Sequence, residues 1–184
     1  MMDQKKIQEL ISRSQQEDAV AFSLLVSTFQ PLVFRLAFRL LCDEDEAKDM
    51  VQETFVKVWL ALGKYNGECR FSTWLYRIAY TTAVSATRKK KQEFLYIEEN
   101  TINNVPDEKA DDILYPTDDE ERTARLIQAI DLLNVEEKAL ITLFYYEEKS
   151  IEEIGEVLKL SPGNVKVKLH RTRKKIYVLM NGKE

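Results

Sequence analysis

Apolar side chains recur at helical spacing along most of the chain, and no stretch alternates as a strand would. Ile7, Leu10 and Ile11 predict a short first helix. Val20, Phe22, Leu24, Leu25 and Phe29 predict a second over 18–29. Pro31 suits the first position of a third, PLVFRLAFRLLC, which is apolar nearly all round and so belongs at the centre of a bundle. Asp43 followed by Glu46 reads as a capping box for a fourth helix, with Ala47, Met50, Val51, Phe55, Val58, Trp59 and Leu62 facing inward. Asn66-Gly67 breaks the pattern. Ser72 then caps a fifth helix with Trp74, Leu75, Ile78, Ala79 and Thr82 on its core side. These pieces predict a helical bundle over residues 1–92.

The periodicity lapses over 93–117, where two prolines and a run of acids replace it. A segment of this kind buries too little apolar surface to order itself, so it reads as an extended, flexible acidic linker. Helical spacing resumes at Thr117 or Asp118 and runs through Leu126, Ile130 and Leu133. Asn134 with Glu137 caps another helix through Leu140, Leu143 and Phe144. Ser150 with Glu153 caps a third, whose apolar face is Ile151, Ile154 and Leu158. Ser161-Pro162 stops it and starts the last helix, in which Val165, Leu169 and Ile176 fall in one narrow arc. Asn164, Val167, His170, Arg171 and Lys174 lie on the opposite side. This is a helix-turn-helix layout in a second bundle over 118–184, and the fold class is all-α.

Charge sharpens the picture. The net charge is −4, but its distribution is uneven. Residues 1–92 carry 14 basic and 11 acidic side chains, 93–121 one basic and 11 acidic, and 122–184 12 basic and nine acidic. Between Glu156 and Glu184 there is no acid, while Lys159, Lys166, Lys168, Arg171, Arg173, Lys174 and Lys175 accumulate. A merely solvated helical hairpin mixes signs to gain i,i+4 pairs. The segregation favours a surface for nucleic acid.

Other chemistry is sparse. Cys42 and Cys69 lie far apart, with one His in the chain, so no metal site or cofactor is expected. No nucleophile–base pair or phosphate loop points to an enzyme. The polar N-terminus lacks a signal-peptide core, and the apolar stretches look too short to span a bilayer; no membrane insertion and a cytoplasmic location are expected.

The segments DMVQETFVKVW, FSTWLYRIAYTTAVSATRKKK and LLNVEEKALITLFYYEEKSIEEIGEVLKLSPGNVKVKLHRTRKKI together resemble the extracytoplasmic-function group of bacterial sigma-70-family sigma factors. The resemblance covers nearly the whole chain. It implies an alternative sigma factor, not an enzyme, that associates with core RNA polymerase and directs initiation at promoter DNA. The first bundle resembles sigma region 2, which docks on the β′ clamp helices and melts the −10 element. The second resembles region 4, which binds the β flap and reads the −35 element. An anti-sigma factor is a further partner that the resemblance implies. The rival reading is a stand-alone helix-turn-helix regulator whose first bundle senses or dimerises.

Residue by residue, Asp49, Gln52 and Glu53 match the family's core-binding motif, with Phe55 as an apolar anchor. The loop Lys64–Phe71 matches the segment that captures a flipped base. In it Tyr65 and Phe71 would stack, and Lys64, Asn66 and Arg70 would donate; Phe71 packing as a staple against the next helix is the alternative. Thr81 stands where the family usually has Asn and cannot make an amide's paired contact. Arg88 and Lys89, with the two lysines that follow, form a cationic helix end for the −10 strand. In the last helix Ser161 and Asn164 stand at the start, Lys166, Val167, His170 and Arg171 align with groove-reading positions, and Lys168, Arg173 and Lys174 suit phosphates. The resemblance also sets the linker near the polymerase's active-centre cleft, where Asp107, Asp111 and Asp112 would meet basic walls.

Overall fold

The computed structural model describes residues 3–90, 97, 99–114 and 119–181. All regular elements among them are helical. The chain divides into two compact units, Met1–Lys89 and Lys90–Glu184.

In the first unit α1 (Gln4–Ser14) and α3 (Glu44–Ala61) pack on the long α2 (Ala19–Leu41), and α4 (Phe71–Lys90) completes the bundle. Asp18 caps α2 by accepting hydrogen bonds from the backbone N–H groups of Val20 and Ala21, both at 3.0 Å. The two helices predicted on either side of Pro31 are thus one. An interior proline costs about 3 kcal/mol, but each buried leucine or valine returns about 1.5–3 kcal/mol. Leu25, Phe29, Val33, Leu36 and Leu40 are buried along one side of α2, so tertiary packing outweighs the local penalty. Among the described residues, only α2 is long and apolar enough to cross a membrane by length and composition, which the reading split at Pro31 did not anticipate.

Asp43 caps α3 by accepting from the Glu46 N–H at 2.9 Å, and three acids in the first turn complement the helix dipole. Ala47, Met50, Val51, Phe55, Val58 and Leu62 are buried as predicted. Trp59 is not: it is 37% exposed, with its ring tilted against Phe22 at 4.7 Å. Helix α4 begins at Phe71, so Ser72 lies in its first turn rather than capping it.

The second unit holds the largest departure. Residues read as an extended linker form α5 (Glu99–Asn103), α6 (Asp107–Asp111) and a 3-10 turn, Asp112–Leu114, all packed on α10 (Pro162–Asn181). Ile97, Ile102, Val105, Ala110 and Ile113 are buried. These apolar residues are too sparse to sustain a helix alone. They order because α10 supplies the surface that buries them.

Helix α7 (Glu120–Asp131) is capped by Asp119, whose carboxylate accepts from the Arg122 N–H at 3.0 Å; Thr117 and Asp118, the predicted starts, lie outside the described residues. Asn134 and Glu137 form a complete capping box on α8 (Val135–Ile141), which widens into a π turn over Thr142–Tyr146. Ser150 and Glu153 do the same for α9 (Ile151–Leu158). Lys159 then takes a left-handed conformation, φ 57°, and Leu160 donates its N–H to the Gly155 carbonyl at 2.9 Å. A Cβ on Gly155 would sit 2.7 Å from the Leu160 carbonyl oxygen, so only glycine lets the turn close this tightly. Val165, Leu169 and Ile176 are buried and seat α10 on the core.

Candidate nucleic-acid interface

Helix α3 presents Asp49, Gln52 and Glu53 to solvent, with Glu53 paired to Lys57 at 2.7 Å. Phe55 does not join them; it is buried on the opposite side, because it belongs to the arc of Val51 and Val58. Val56 and Leu60 take its place, 60% and 76% exposed. They lie seven and eleven positions after Asp49, so one strip of helix carries acids, an amide and two bare aliphatic side chains. That spacing was available in the sequence and went unread.

The loop before α4 separates its polar from its aromatic residues. Lys64, Asn66 and Arg70 are exposed, and Asn66 folds its side chain back to accept from the Glu68 N–H at 3.2 Å. Gly67 supplies the positive φ of 80°. Tyr65 and Phe71 are only 6% and 3% exposed. Their rings pack on each other at 5.5 Å, on Trp74 at 5.2 and 5.8 Å, and Phe71 on Phe29 at 5.1 Å. The Tyr65 hydroxyl donates to the Cys69 carbonyl at 2.7 Å, and burial pushes its ionisation above the ordinary range. These rings hold the loop in place: Phe71 takes the packing alternative, and Tyr65, read as a stacking residue, is buried beside it. Trp74 is core, as predicted.

From Arg70 to Lys91 the sequence contains no acid. Thr81, Ser85 and Arg88 are exposed at spacings of four and three along α4, one outward stripe. The Thr81 hydroxyl is shared between the carbonyls of Arg77 and Ile78, at 3.0 and 2.9 Å. The side chain of Lys89 lies outside the described residues.

On α10 the Ser161 hydroxyl accepts from the Asn164 N–H at 3.3 Å, and Ser161, Asn164, Lys166, Val167 and Arg171 are exposed. Lys168 and His170 are half-exposed and Arg173 half-buried. The cations are not uncompensated, as the local sequence suggested. Lys168 pairs with Glu136 at 2.5 Å. Buried Lys175 donates to both Glu137 carboxylate oxygens, at 3.0 and 2.8 Å, while Glu137 also closes the capping box of α8. Arg171 reaches Glu99 at 2.5 Å, and Asp107 lies 3.2 Å from His170 Nε2 and 2.7 Å from Lys174 Nζ. Lys168 and Lys174, predicted as phosphate contacts, are therefore already held by carboxylates. Glu99 and Asp107 carried no local signal, because their partners lie more than sixty residues away. Among the described residues no His, Cys, Asp or Glu cluster suits a metal ion.

The geometry meets its relatives here. The sigma-70 region 2 model matches residues 25–93, and the sigma-70 region 4 model matches 123–176. RNA polymerase sigma-H factor of Pseudomonas aeruginosa is 33% identical, over 96% of this chain and 94% of the relative. The ECF RNA polymerase sigma factor SigW of Bacillus subtilis is 31% identical, over 94% of each. The ECF sigma-E factor of Escherichia coli is 32% identical, over 96% and 95%. This chain belongs to the extracytoplasmic-function group of the sigma-70 family. The fold is shared with CnrH in complex with the cytosolic domain of CnrY, at TM-score 0.67 and 21% identity over 97% of this chain and 99% of that one. It is shared also with the sigma factor RpoE of Bartonella quintana bound to the anti-sigma factor NepR, at TM-score 0.61 and 19% identity over 89% and 98%. The sigma-factor chain is accordingly an alternative sigma factor, a protein of transcription initiation.

Proposed function

We propose that the two units divide promoter recognition between them, with α10 reading duplex at the −35 element and the Lys64–Arg70 loop and α4 stripe holding separated strands at −10. The observation that carries this reading is the outward, acid-free start of α10. Lys166 there, and Arg171 further along the helix, offer donors suited to guanine, worth about 1–3 kcal/mol of discrimination for a good bidentate pair. Val167, exposed beside them, suits a thymine methyl. Lys64, Asn66, Arg70 and Arg88 supply charge and hydrogen bonds to a strand, while Tyr65 and Phe71 keep their loop rigid.

The Asp49–Leu60 strip of α3 is the proposed seat for core polymerase. Its acids suit basic residues, and Val56 and Leu60 supply the apolar anchor. CnrH is bound to the cytosolic domain of CnrY, and RpoE to the anti-sigma factor NepR. A partner of that kind, which would cover the same faces, belongs to the proposal. So does the absence of enzymatic chemistry.

Run-off transcription with purified bacterial core polymerase, with and without the chain, tests the reading. The expected result is a discrete transcript only when both are present, lost with Val56→Asp/Leu60→Asp. Protection of a symmetric duplex by the chain alone, with no core association, would establish the stand-alone regulator instead.

A further inference from the structure

Two of the acids that meet α10, Glu99 and Asp107, come from the segment 99–114, which packs against the proposed reading side of the helix. We infer that this segment is an internal latch, a protein stand-in for the DNA backbone that must swing away before the C-terminal part of the α10 face engages a duplex. The inference rests on the reading of α10 as the duplex-binding helix.

Two carboxylates account for the ionic part. Glu99 takes Arg171, and Asp107 takes His170 and Lys174 together. Positions 170, 171 and 174 share one side of the helix. A carboxylate offers these donors the same anionic acceptor oxygens that a phosphate would. Asp107 is held below the usual carboxylate range, first by the hydrogen bond from Lys174, so it is charged at neutral pH. Lys166 and Val167, one turn earlier, stay exposed, so the latch covers one half of the face.

The apolar part places the carboxylates. Ile102 and Val105 flank the end of α5, and Ala110 and Ile113 are buried in and just after α6. The Lys109 ammonium sits 5.9 Å from the centre of the Tyr177 ring, a further tie to α10. The seat is incomplete. A cavity of about 260 Å³ remains between the segment and the helices, lined by Ile97, Glu99, Ile102, Leu140, Lys168 and Arg171. Solvent-accessible ion pairs are individually weak and screened by salt. The latch therefore biases α10 against DNA without locking it. A basic surface that accepts Glu99 and Asp107 in exchange would release it.

The test uses the full-length chain and a short fluorescein-labelled mixed-sequence duplex, read by anisotropy at low salt. Glu99→Gln/Asp107→Asn removes the ionic contacts, and Ile102→Ser removes an apolar anchor with no change of charge. Each should tighten binding about tenfold. Glu108→Gln/Asp112→Asn, on the same segment and equal in charge change, should alter it less than about threefold. Hydrogen exchange follows the unaltered chain, so it stands even if Ile102→Ser melts; added duplex should expose the amides of 99–111. Equal shifts from both charge pairs, with no effect of Ile102→Ser and no exchange response, would overturn the latch. Arg171→Glu separates the two readings: if it binds duplex as well as the unaltered chain, the assignment of α10 fails, and the latch with it.

Discussion

Helices α4 and α10 look alike in sequence, each a twenty-residue helix without an acid of its own. In the structure they differ. The α4 stripe of Thr81, Ser85 and Arg88 faces solvent, whereas five basic side chains of α10 meet carboxylates from elsewhere in their unit. Those pairs are of two kinds. Lys175–Glu137 is buried and joins α10 to the capping box of α8, so it is architectural. Arg171–Glu99 and Lys174–Asp107 lie on the face proposed to read duplex, and their acids are accessible, as the proposed exchange for phosphates requires. A basic helix therefore declares its sign in the sequence but not whether its charge is already spent.

The comparison breaks first if the aromatic loop of the first unit is a base-stacking site rather than scaffold. Phe71→Ala should cost about 3–5 kcal/mol in urea unfolding, with promoter activity falling only as far as the folded population does. Full stability with lost strand capture would reverse that assignment. Next comes the architectural pair. Glu137→Ala leaves a buried cation and an open cap, and should cost about 3 kcal/mol in the same measurement; Glu137→Gln, which keeps the cap, should cost less. The smallest effect is the pH response of the latch. The folded Asp107 titrates below its ordinary value of 3.8, so its contribution is complete above that value and is lost as pH falls through the lowered one. An NMR titration of the Ala110 amide should be flat in this contribution from pH 7 to 5 and have its midpoint below 3.8. Movement between 7 and 5 would mean that a group other than Asp107 controls docking.

Most of the architecture was legible because its signals are local. Capping pairs Asn134–Glu137 and Ser150–Glu153, the Ser161-Pro162 start and the arc of Val165, Leu169 and Ile176 each lie within a few residues. Three features were not. Pro31 reads as a boundary because its penalty is local, while the burial that overrides it comes from α1 and α3. Segment 99–114 reads as part of a strap because its apolar residues are sparse until α10 covers them. Tyr65 and Phe71 read as stacking residues because a loop aromatic has no period to reveal that it is buried. Within the candidate interface, the donors of the loop and of α10 were named through the family resemblance, whereas Phe55, read both as core and as an exposed anchor, is core alone: Val56 and Leu60 carry the exposed strip.

The most direct test of the divided account is footprinting of reconstituted holoenzyme on one promoter with two double variants. Lys166→Ala/Arg171→Ala should abolish protection of the upstream duplex. Lys64→Ala/Arg70→Ala should keep that protection but lose the permanganate-reactive thymines of the melted region. Identical defects from the two pairs, or melting lost with the first and duplex protection with the second, would contradict the account.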